Sequence, residues 1–394
     1  MSSLPPPTDR RPIYLDHAAT TPMDEQVLEA MLPYLRQQFG NPSSLHAWGR
    51  TAQKALAEAR QTTASFLNAQ PEEIVFTSGA SEADNLAILG VASVLMDKGR
   101  HVITTTIEHA AVDTAFDRLS AAGWEVTRLG VDSDGFVNVD TLNAAIRPDT
   151  TLVSVIHGHN EIGTIQPIET LGALLRERGI AFHTDAVQTV GKVPISVQAL
   201  PIDYLSLSAH KLYGPKGVGA LYVRQGAPLP MPMILGGGQE SGLRSGTENL
   251  AGIVGLAKAL SLRQERMHTE TQHLRSLQTQ FITDILTTIP EAVLNGTPDI
   301  DKRVPGNVHF SFPPGEGEAL VLHLDLKGIA VSTGSACHSA VIEPSRIIKA
   351  LGKSDTVARA TVRFSMGNTT TREDLQRVVA VLPGILQRLQ RNKT

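Results

Sequence analysis

The stretch Ser206-Leu-Ser-Ala-His-Lys-Leu-Tyr-Gly-Pro-Lys-Gly217 continues an apolar run that predicts a buried strand. A lysine at the carboxyl end of such a strand, followed by a glycine-rich turn, is well placed to bind a carbonyl cofactor covalently. Lys211 is that lysine, and Ser208 and His210 precede it at positions suited to a phosphate group. Taken alone, these residues have a second interpretation, which is a surface lysine in a turn.

Short apolar runs alternate with helical patterns around this stretch, from about residue 71 to residue 224. Strand, helix and strand in repeated succession indicate an α/β fold with a mostly parallel sheet that is covered on both faces. Ligands of such sheets bind at the carboxyl ends of the strands. The predicted strands span residues 74–77, 101–104, 151–156, 180–183, 204–207 and 220–223, and helices are predicted at 110–122 and 168–178.

The pattern changes after about residue 250 and predicts a second, smaller α+β domain. A chain of 394 residues is too long for one ordinary core, which also favours two domains. Thr370 and Glu373 fit a capping box at the start of the last helix. The predicted elements are helices at 250–286, at 317–326 and from about Thr371, and strands at 307–312 and 361–365.

The composition is that of a globular protein, with 41% apolar and 19% charged residues. A net charge of −4 provides no basic surface for nucleic acid or an anionic membrane. The first residues carry no apolar signal segment, and no apolar run reaches the roughly 18 residues of a membrane span. These features predict a cytoplasmic enzyme.

The segment Phe76-Thr-Ser-Gly-Ala-Ser-Glu-Ala-Asp-Asn85 predicts a strand, a glycine turn and the start of a helix. The first N–H groups of that helix, with the hydroxyl of Ser81, would form an anion site of phosphate size. A simple helix cap by Ser81 is the alternative. Because neither a Walker A motif nor a GxGxxG motif is present, the phosphate is not expected to belong to ATP or NAD.

The segment His183-Thr-Asp-Ala-Val-Gln188 also follows a predicted strand. A buried carboxylate at Asp185 needs a cationic partner. The protonated ring nitrogen of a pyridine cofactor would serve, and the carboxylate would keep that nitrogen protonated. An arginine partner, or a helix cap by Asp185, is the structural alternative.

Three other groups of residues suggest chemistry. His109 follows a predicted strand and could lie over a cofactor ring or be a satisfied core histidine. Arg363 could bind a substrate carboxylate in a bidentate fork or form a structural ion pair. His157 and His159 alternate on one predicted strand, but no further ligand clusters with them, so no metal site is predicted.

Cys337 is the one cysteine of the chain and lies in Val331-Ser-Thr-Gly-Ser-Ala-Cys-His-Ser-Ala340. A single thiol cannot form an internal disulfide. Its small and polar neighbours suit a loop in which a thiolate reaches a partner. The alternative is a small buried hydrophobic residue.

Together these segments resemble the class V, pyridoxal-phosphate-dependent cysteine desulfurases, specifically the NifS/IscS-like branch. The resemblance runs from Tyr14-Leu-Asp-His-Ala-Ala-Thr-Thr-Pro22 to about Gly367, and its motifs are specific in combination. They are Gly40-Asn-Pro-Ser43, Thr77-Ser-Gly-Ala-Ser-Glu82, Asn160-Glu-Ile-Gly163, Asp185 with Gln188, Ser208-Ala-His-Lys211, Arg244-Ser-Gly-Thr247, Gly334-Ser-Ala-Cys337 and Arg363-Phe-Ser365.

The resemblance implies an α/β fold of the PLP-dependent transferase type, which is aspartate aminotransferase-like and called fold type I. It implies a homodimer with a large, mostly parallel-sheet domain and a small α+β domain in each subunit. Residues 1–22 would form an N-terminal segment that packs with the small domain. Residues 23–266 would form the large cofactor-binding domain, and residues 267–394 the small domain with the catalytic cysteine loop.

The resemblance also implies a role for each motif residue. Lys211 would bind pyridoxal 5'-phosphate covalently, and Cys337 would be the nucleophile. Lys211 or His109 would take the Cα proton of the substrate. In the remaining roles, His109, Asp185 and Gln188 would contact the cofactor ring, Ala80, Ser81, Ser208 and His210 its phosphate, Thr247 the phosphate of the neighbouring subunit, and Asn160 and Arg363 the substrate carboxylate.

The implied reaction removes sulfur from L-cysteine and leaves L-alanine and a persulfide on Cys337. The sulfur would pass to an iron–sulfur scaffold protein or to tRNA thiolation. A selenocysteine lyase or a cystine C–S lyase of the same fold is the main alternative, ahead of a non-catalytic relative and a metal-dependent hydrolase. His338, His159 and Asn368 depart from the family pattern.

Overall fold

The computed structural model describes residues 11–333 and 343–391. Strands and helices alternate in the first part of the chain, in agreement with the apolar runs of the sequence. Its strands are β1 (Ile13–Tyr14), β2 (Ile74–Thr77), β3 (His101–Thr105), β4 (Glu125–Leu129), β5 (Thr150–Ser154), β6 (Ala181–Asp185), β7 (Tyr204–Ser208) and β8 (Gly219–Val223). Its helices are α1 (Glu25–Arg36), α2 (Ala47–Leu67), α3 (Ala80–Asn85), α4 (Val91–Leu95), α5 (Ala110–Ala121), α6 (Val139–Ala145) and α7 (Ile168–Glu177), and a π-helical turn (Leu86–Gly90) joins α3 to α4.

Strands β2 to β8 form one seven-stranded sheet in the order β2-β8-β7-β6-β5-β3-β4. β8 runs antiparallel to both of its neighbours, and every other pair of adjacent strands is parallel. The prediction of a mostly parallel sheet is therefore confirmed. The edge strand β4 was not predicted, because its sequence Glu-Val-Thr-Arg-Leu is largely polar and only Leu129 is buried.

The two faces of this sheet pack against different apolar cores, as alternate side chains of a strand require. Val102 and Leu152 belong to one core, whereas their neighbours Ile103 and Val153 belong to the other. All four side chains are fully buried. The sheet is thus covered on both sides, which explains why its inner strands are buried at every position.

The second part of the chain builds a separate core around a three-stranded sheet in the order β12-β10-β9. Phe281 and Phe364 lie in this core with their rings 5.2 Å apart in an edge-to-face arrangement. The elements of the second part are helices α8 (Leu250–Thr288), α9 (Gly317–Asp325), α10 (Arg346–Ala350), α11 (Asp355–Arg359) and α12 (Arg372–Arg391), and strands β9 (Val293–Leu294), β10 (Asn307–Ser311), β11 (Ile329–Ala330) and β12 (Thr361–Ser365). Helices α10 and α11 pack outside this core, in a smaller apolar cluster with residues of the first part of the chain.

Helix α8 contributes to both cores. Leu256 and Leu260 pack in a core of the large sheet, whereas Leu274 and Ile285 pack in the second core. Within the described residues, the N-terminal segment joins the second core, because β1 pairs in parallel with β11. The domain bounds at residues 22 and 266 stay a prediction.

The predicted capping box at Thr370 and Glu373 is wrong by one residue. Thr371 Oγ1 accepts a hydrogen bond from the N–H of Asp374 (3.2 Å), and the Asp374 carboxylate accepts one from the N–H of Thr371 (3.0 Å). The Thr370 hydroxyl instead accepts a hydrogen bond from Gly367 N–H at 3.0 Å. Because the Thr370 hydroxyl is used in this turn, Thr371 caps helix α12. Of the helices in residues 11–333 and 343–391, none has the length and apolarity of a membrane span.

Candidate active site

A cavity of about 1000 Å³ opens at the carboxyl ends of the parallel strands. This is where ligands bind to open α/β sheets. The structure brings most of the predicted site residues together there, although they come from distant parts of the chain. Those that line the cavity are Ala80, Ser81, His109, Asn160, Asp185, Gln188, Ser208, His210, Lys211 and Arg363.

Lys211 lies directly after β7, in a short 3-10 turn. Its ammonium group donates hydrogen bonds to the carbonyl oxygens of Ala18 (2.7 Å) and Ala19 (2.6 Å). Burial and the nearby Arg363 guanidinium lower the pKa of Lys211 to about 8. An amine with such a pKa loses its proton readily near neutral pH, as a Schiff-base lysine must.

Asp185 is the last residue of β6, and its carboxylate accepts a hydrogen bond from Val187 N–H at 2.9 Å. Burial raises the pKa of Asp185, while His109 and Lys211 oppose that shift. A cationic ring nitrogen in the cavity would compensate the buried charge. Asp185 therefore fits the ring nitrogen of a pyridine cofactor.

Asp84 is a second buried carboxylate in the cavity wall, and the sequence analysis missed its importance. It is 1% exposed, and among the described residues the Ser206 hydroxyl is the one side chain whose hydrogen bond lowers the pKa of this carboxyl. Its Oδ1 lies 3.6 Å from Nε2 of His183. Burial lowers the pKa of His183 to about 3, so the ring is neutral, and burial and Asp185 raise the pKa of Asp84. Helix α3 has the mostly polar sequence Ala-Ser-Glu-Ala-Asp-Asn, so nothing in the sequence distinguished the buried Asp84 from its polar neighbours.

The predicted phosphate site lies where β2 turns into α3. Gly79 precedes the helix with φ of 151°, a conformation that favours glycine. A side chain there would first meet Ser208 Oγ, at 4.0 Å. The free N–H groups of the first helical turn and the side chains of Ser81, Ser208 and His210 thus surround one cradle. These residues fit a phosphate group.

His109 caps helix α5, since its Nδ1 accepts a hydrogen bond from Ala111 N–H at 3.1 Å. This contact fixes the imidazole at the cavity, so His109 is not a core histidine. Its neighbour Glu108 is buried and accepts hydrogen bonds from Ile156 N–H (3.0 Å) and the Thr105 hydroxyl (2.8 Å). Burial raises the pKa of Glu108 to about 8.

Arg363, on β12, brings a guanidinium from the second core to the cavity. It donates hydrogen bonds to Asp16 Oδ1 at 2.8 Å and to the carbonyl of Asn160 at 3.1 Å. The predicted structural ion pair thus exists, yet the same residue lines the cavity. Its buried Nε has no hydrogen-bond partner among the described residues. Arg363 therefore keeps donors for a ligand carboxylate.

The side-chain amide of Gln188 makes a hydrogen bond at each of its two ends. Its Nε2 donates to the carbonyl of Ala18 at 2.9 Å, and its Oε1 accepts from Lys192 Nζ at 3.0 Å. Lys192 is a second residue that the sequence analysis missed. A lysine between apolar neighbours in Val190-Gly-Lys-Val193 was the available signal.

Two histidines lie elsewhere than predicted. His157 and His159 are not on a strand, because β5 ends at Ser154. His157 Nδ1 contacts the Thr189 hydroxyl at 2.9 Å, and His159 Nδ1 accepts from the N–H groups of Glu161 and Ile162. In the part of the chain that the structure describes, no three His, Cys, Asp or Glu side chains cluster as metal ligands.

Two predicted residues are not among those that line the cavity. Thr247 is exposed in the loop before α8. Cys337 lies outside the described residues, as does His338. Ser332 before that segment and Ile347 after it both line the cavity.

Residues 13–378 match the family model for class-V aminotransferases. The chain belongs to the class-V aminotransferase family. A cysteine desulfurase IscS of Dictyoglomus turgidum is 48% identical over 381 residues, which cover 97% of this chain and 96% of the relative. A solved NifS-like protein is 36% identical, with a TM-score of 0.89 over 96% of this chain and 100% of its own. A structure of SspA in complex with cysteine is 38% identical, with a TM-score of 0.79 over 90% of this chain and 98% of its own.

This family assignment confirms the fold type and the enzyme class that the motifs predict. It also confirms pyridoxal phosphate as the cofactor. The roles of the individual site residues remain predictions.

Proposed function

We propose that this chain is a cysteine desulfurase that converts L-cysteine to L-alanine and leaves a persulfide on Cys337. The observation that carries the proposal is the convergence of Lys211, Asp185 and Arg363 on one cavity. The amine of Lys211 matches the aldehyde of the cofactor, and the buried carboxylate of Asp185 matches its ring nitrogen. The guanidinium of Arg363 matches the carboxylate of the substrate. The names of the relatives support the same activity.

In this proposal Lys211 holds the cofactor, and Asp185 holds its ring nitrogen. Gln188 contacts the ring oxygen, and His109 covers the ring. When bound, pyridoxal phosphate supplies an electron sink for the charge that forms at the substrate Cα. The phosphate contacts come from Ala80, Ser81, Ser208 and His210, and from Thr247 of a neighbouring subunit.

The protein side chains position the substrate and move its proton. Arg363 and Asn160 bind the carboxylate, which fixes the Cα–H bond relative to the base. Lys211, with its pKa of about 8, is the base in this proposal, and His109 is the other candidate. Which of the two takes the proton decides the pH dependence of the reaction.

Sulfur transfer then requires a thiolate from the segment between Ser332 and Ile347. The Cys337 thiolate attacks the substrate sulfur, so that an S–S bond forms while the C–S bond breaks. The electron pair of that bond stays with the carbon skeleton, which becomes alanine after protonation. Cys337 retains the sulfur as a persulfide and passes it to an acceptor protein or to an iron–sulfur scaffold.

A homodimer is part of this proposal. Leu45 is 91% and Trp48 is 62% exposed, and both lie near the start of α2. Exposed apolar side chains that lie together on one surface are typical of a protein–protein interface. Thr247 lies in an exposed loop that could reach a second cavity. Size-exclusion chromatography with light scattering would test the dimer. The cytoplasmic location of the protein also stays a prediction.

The first experiment records the absorbance of the purified protein and then assays alanine and sulfide from L-cysteine. We expect a band near about 420 nm for the cofactor bound to Lys211. We expect alanine from the wild type but not from Cys337→Ala. A yellow Cys337→Ala protein that still cleaves its substrate would instead indicate a C–S lyase or selenocysteine lyase, which needs no protein thiol.

A protein that stays colourless after addition of pyridoxal phosphate would contradict the proposal. Lys211→Ala is the matched control, because it should lose the band while it keeps the fold.

A further inference from the structure

Lys192 is a half-buried lysine with no part in the proposed chemistry. Its ammonium donates a hydrogen bond to Gln188 Oε1 at 3.0 Å. Burial lowers the pKa of Lys192 to about 7, and the charges of Lys211 and Arg363 act in the same direction. A third cation beside two others is unfavourable unless it has a specific role.

The contacts of Gln188 fix which end of its amide faces which partner. The Nζ of Lys192 can donate this hydrogen bond as an ammonium or as a neutral amine, so its partner is the amide oxygen. A carbonyl only accepts, so the group that contacts Ala18 O at 2.9 Å must be the amide nitrogen. Both contacts require the same orientation, which leaves the NH2 group on the side of the cavity and the oxygen on the side of Lys192.

We propose that Lys192 is a positioning residue that acts through Gln188. It holds the amide so that Gln188 presents a hydrogen-bond donor, and no acceptor, to an anionic oxygen of the bound cofactor. The inference rests on the proposed function, because that oxygen is the ring oxygen of pyridoxal phosphate. Without Lys192, the Ala18 carbonyl alone would orient the amide. The amide would then be held less firmly and could rotate to place its own oxygen against the anion.

The consequence is a measurable change at the neighbouring nitrogen of Lys211. A donor to the ring oxygen stabilises its negative charge and weakens its attraction for the proton that it shares with that nitrogen. Losing the donor should therefore raise the pH at which the proton leaves. Arg363, Asp185 and Asp16 also act on Lys211, and His17 lies close enough to Lys192 to sense its charge.

The test is a double-mutant cycle on the absorbance of the cofactor-loaded protein. Four proteins are titrated with alkali at about 420 nm: wild type, Lys192→Met, Gln188→Leu and the double variant. We expect each single substitution to raise the midpoint by about one pH unit, the size of one hydrogen bond to a charged group. If Lys192 acts through Gln188, the double variant shifts clearly less than the sum of the two single shifts.

Additive shifts would overturn the inference, because they would mean that Lys192 acts only by its charge. Lys216→Met is the matched control, since this lysine lines the same cavity and is exposed. This substitution removes a charge but no contact to Gln188. The shift in midpoint that it causes should therefore be the same with and without Gln188→Leu. If Lys192→Met fails to fold by circular dichroism, Lys192→Leu replaces it, since it also has no hydrogen-bond donor, and the same lack of additivity is expected.

The outcomes separate the inference from the proposed function. A wild-type protein without the band would contradict the proposed function and also the inference that rests on it. A yellow wild type with additive shifts refutes the role of Lys192 alone.

Discussion

Substitution of Arg363 tests the proposed substrate site most directly. A guanidinium has five N–H donors, and in the described residues Asp16 and Asn160 occupy one each. The remaining donors, among them the buried Nε, can bind a carboxylate in a bidentate fork. Arg363→Gln removes both of those hydrogen bonds together with the charge.

The size of the loss follows from these contacts. Each hydrogen bond to a charged group contributes about 1.5 kcal/mol at the lower end of its usual range. Two of them give about 3 kcal/mol, which corresponds to a fall in kcat/KM on the order of 100-fold. Arg363→Lys keeps the charge and one donor, so it should lose only about tenfold.

The pH profile supplies a second readout. Because Arg363 lowers the pKa of Lys211, its removal should move that pKa above 8 and shift the acid limb of kcat/KM to higher pH. Steady-state alanine formation over a pH series measures both effects, with a thermal melt to confirm folding. A kcat/KM within about twofold of wild type at every pH would refute the assignment of Arg363 to the substrate carboxylate.

Two further predictions concern stability. The pKa of Glu108 is raised from 4.5 to about 8, so its contribution to stability is complete below the lower value and is lost as pH rises towards the upper one. The free energy of unfolding, measured in urea, should fall less for Glu108→Gln than for the wild type when the pH is raised from about 5 to 8. An equal fall in both proteins would contradict the raised pKa of Glu108. Phe364→Ala removes a fully buried ring and should cost about 3–5 kcal/mol. Phe39→Ala, at a side chain that is 74% exposed, is its control and should change stability by less than about 0.5 kcal/mol, and similar losses in both would contradict the packing argument.

The inner strands of the large sheet could be predicted because both of their faces are buried. All five residues of β3 and of β7 are buried, and the apolar ones among them, such as Val102 and Ile103 of β3, leave the signal. The end of β5 could not be predicted, since Val155 and Ile156 are also buried and apolar but already lie beyond the strand. The edge strand β4 has one solvated side and therefore gave no such signal.

The site residues at strand ends could be predicted for a related reason. The order of strand, turn and helix places Lys211 and Asp185 at one edge of the sheet before any contact is known. The partners of these residues could not be read in the same way. Asp16 lies 347 positions from Arg363, and the role of Lys192 depends on the orientation of one amide, so both emerge only from the folded contacts.

The N-terminal segment has a mechanical consequence. It pairs with β11, forms an ion pair with Arg363 through Asp16, and also accepts the hydrogen bonds of Lys211 through Ala18 and Ala19. It therefore acts as a strap between the C-terminal core and the lysine of the large sheet. A hinge rotation of that core would therefore displace this strap, and the movement of the smaller unit would be transmitted directly to the lysine amine.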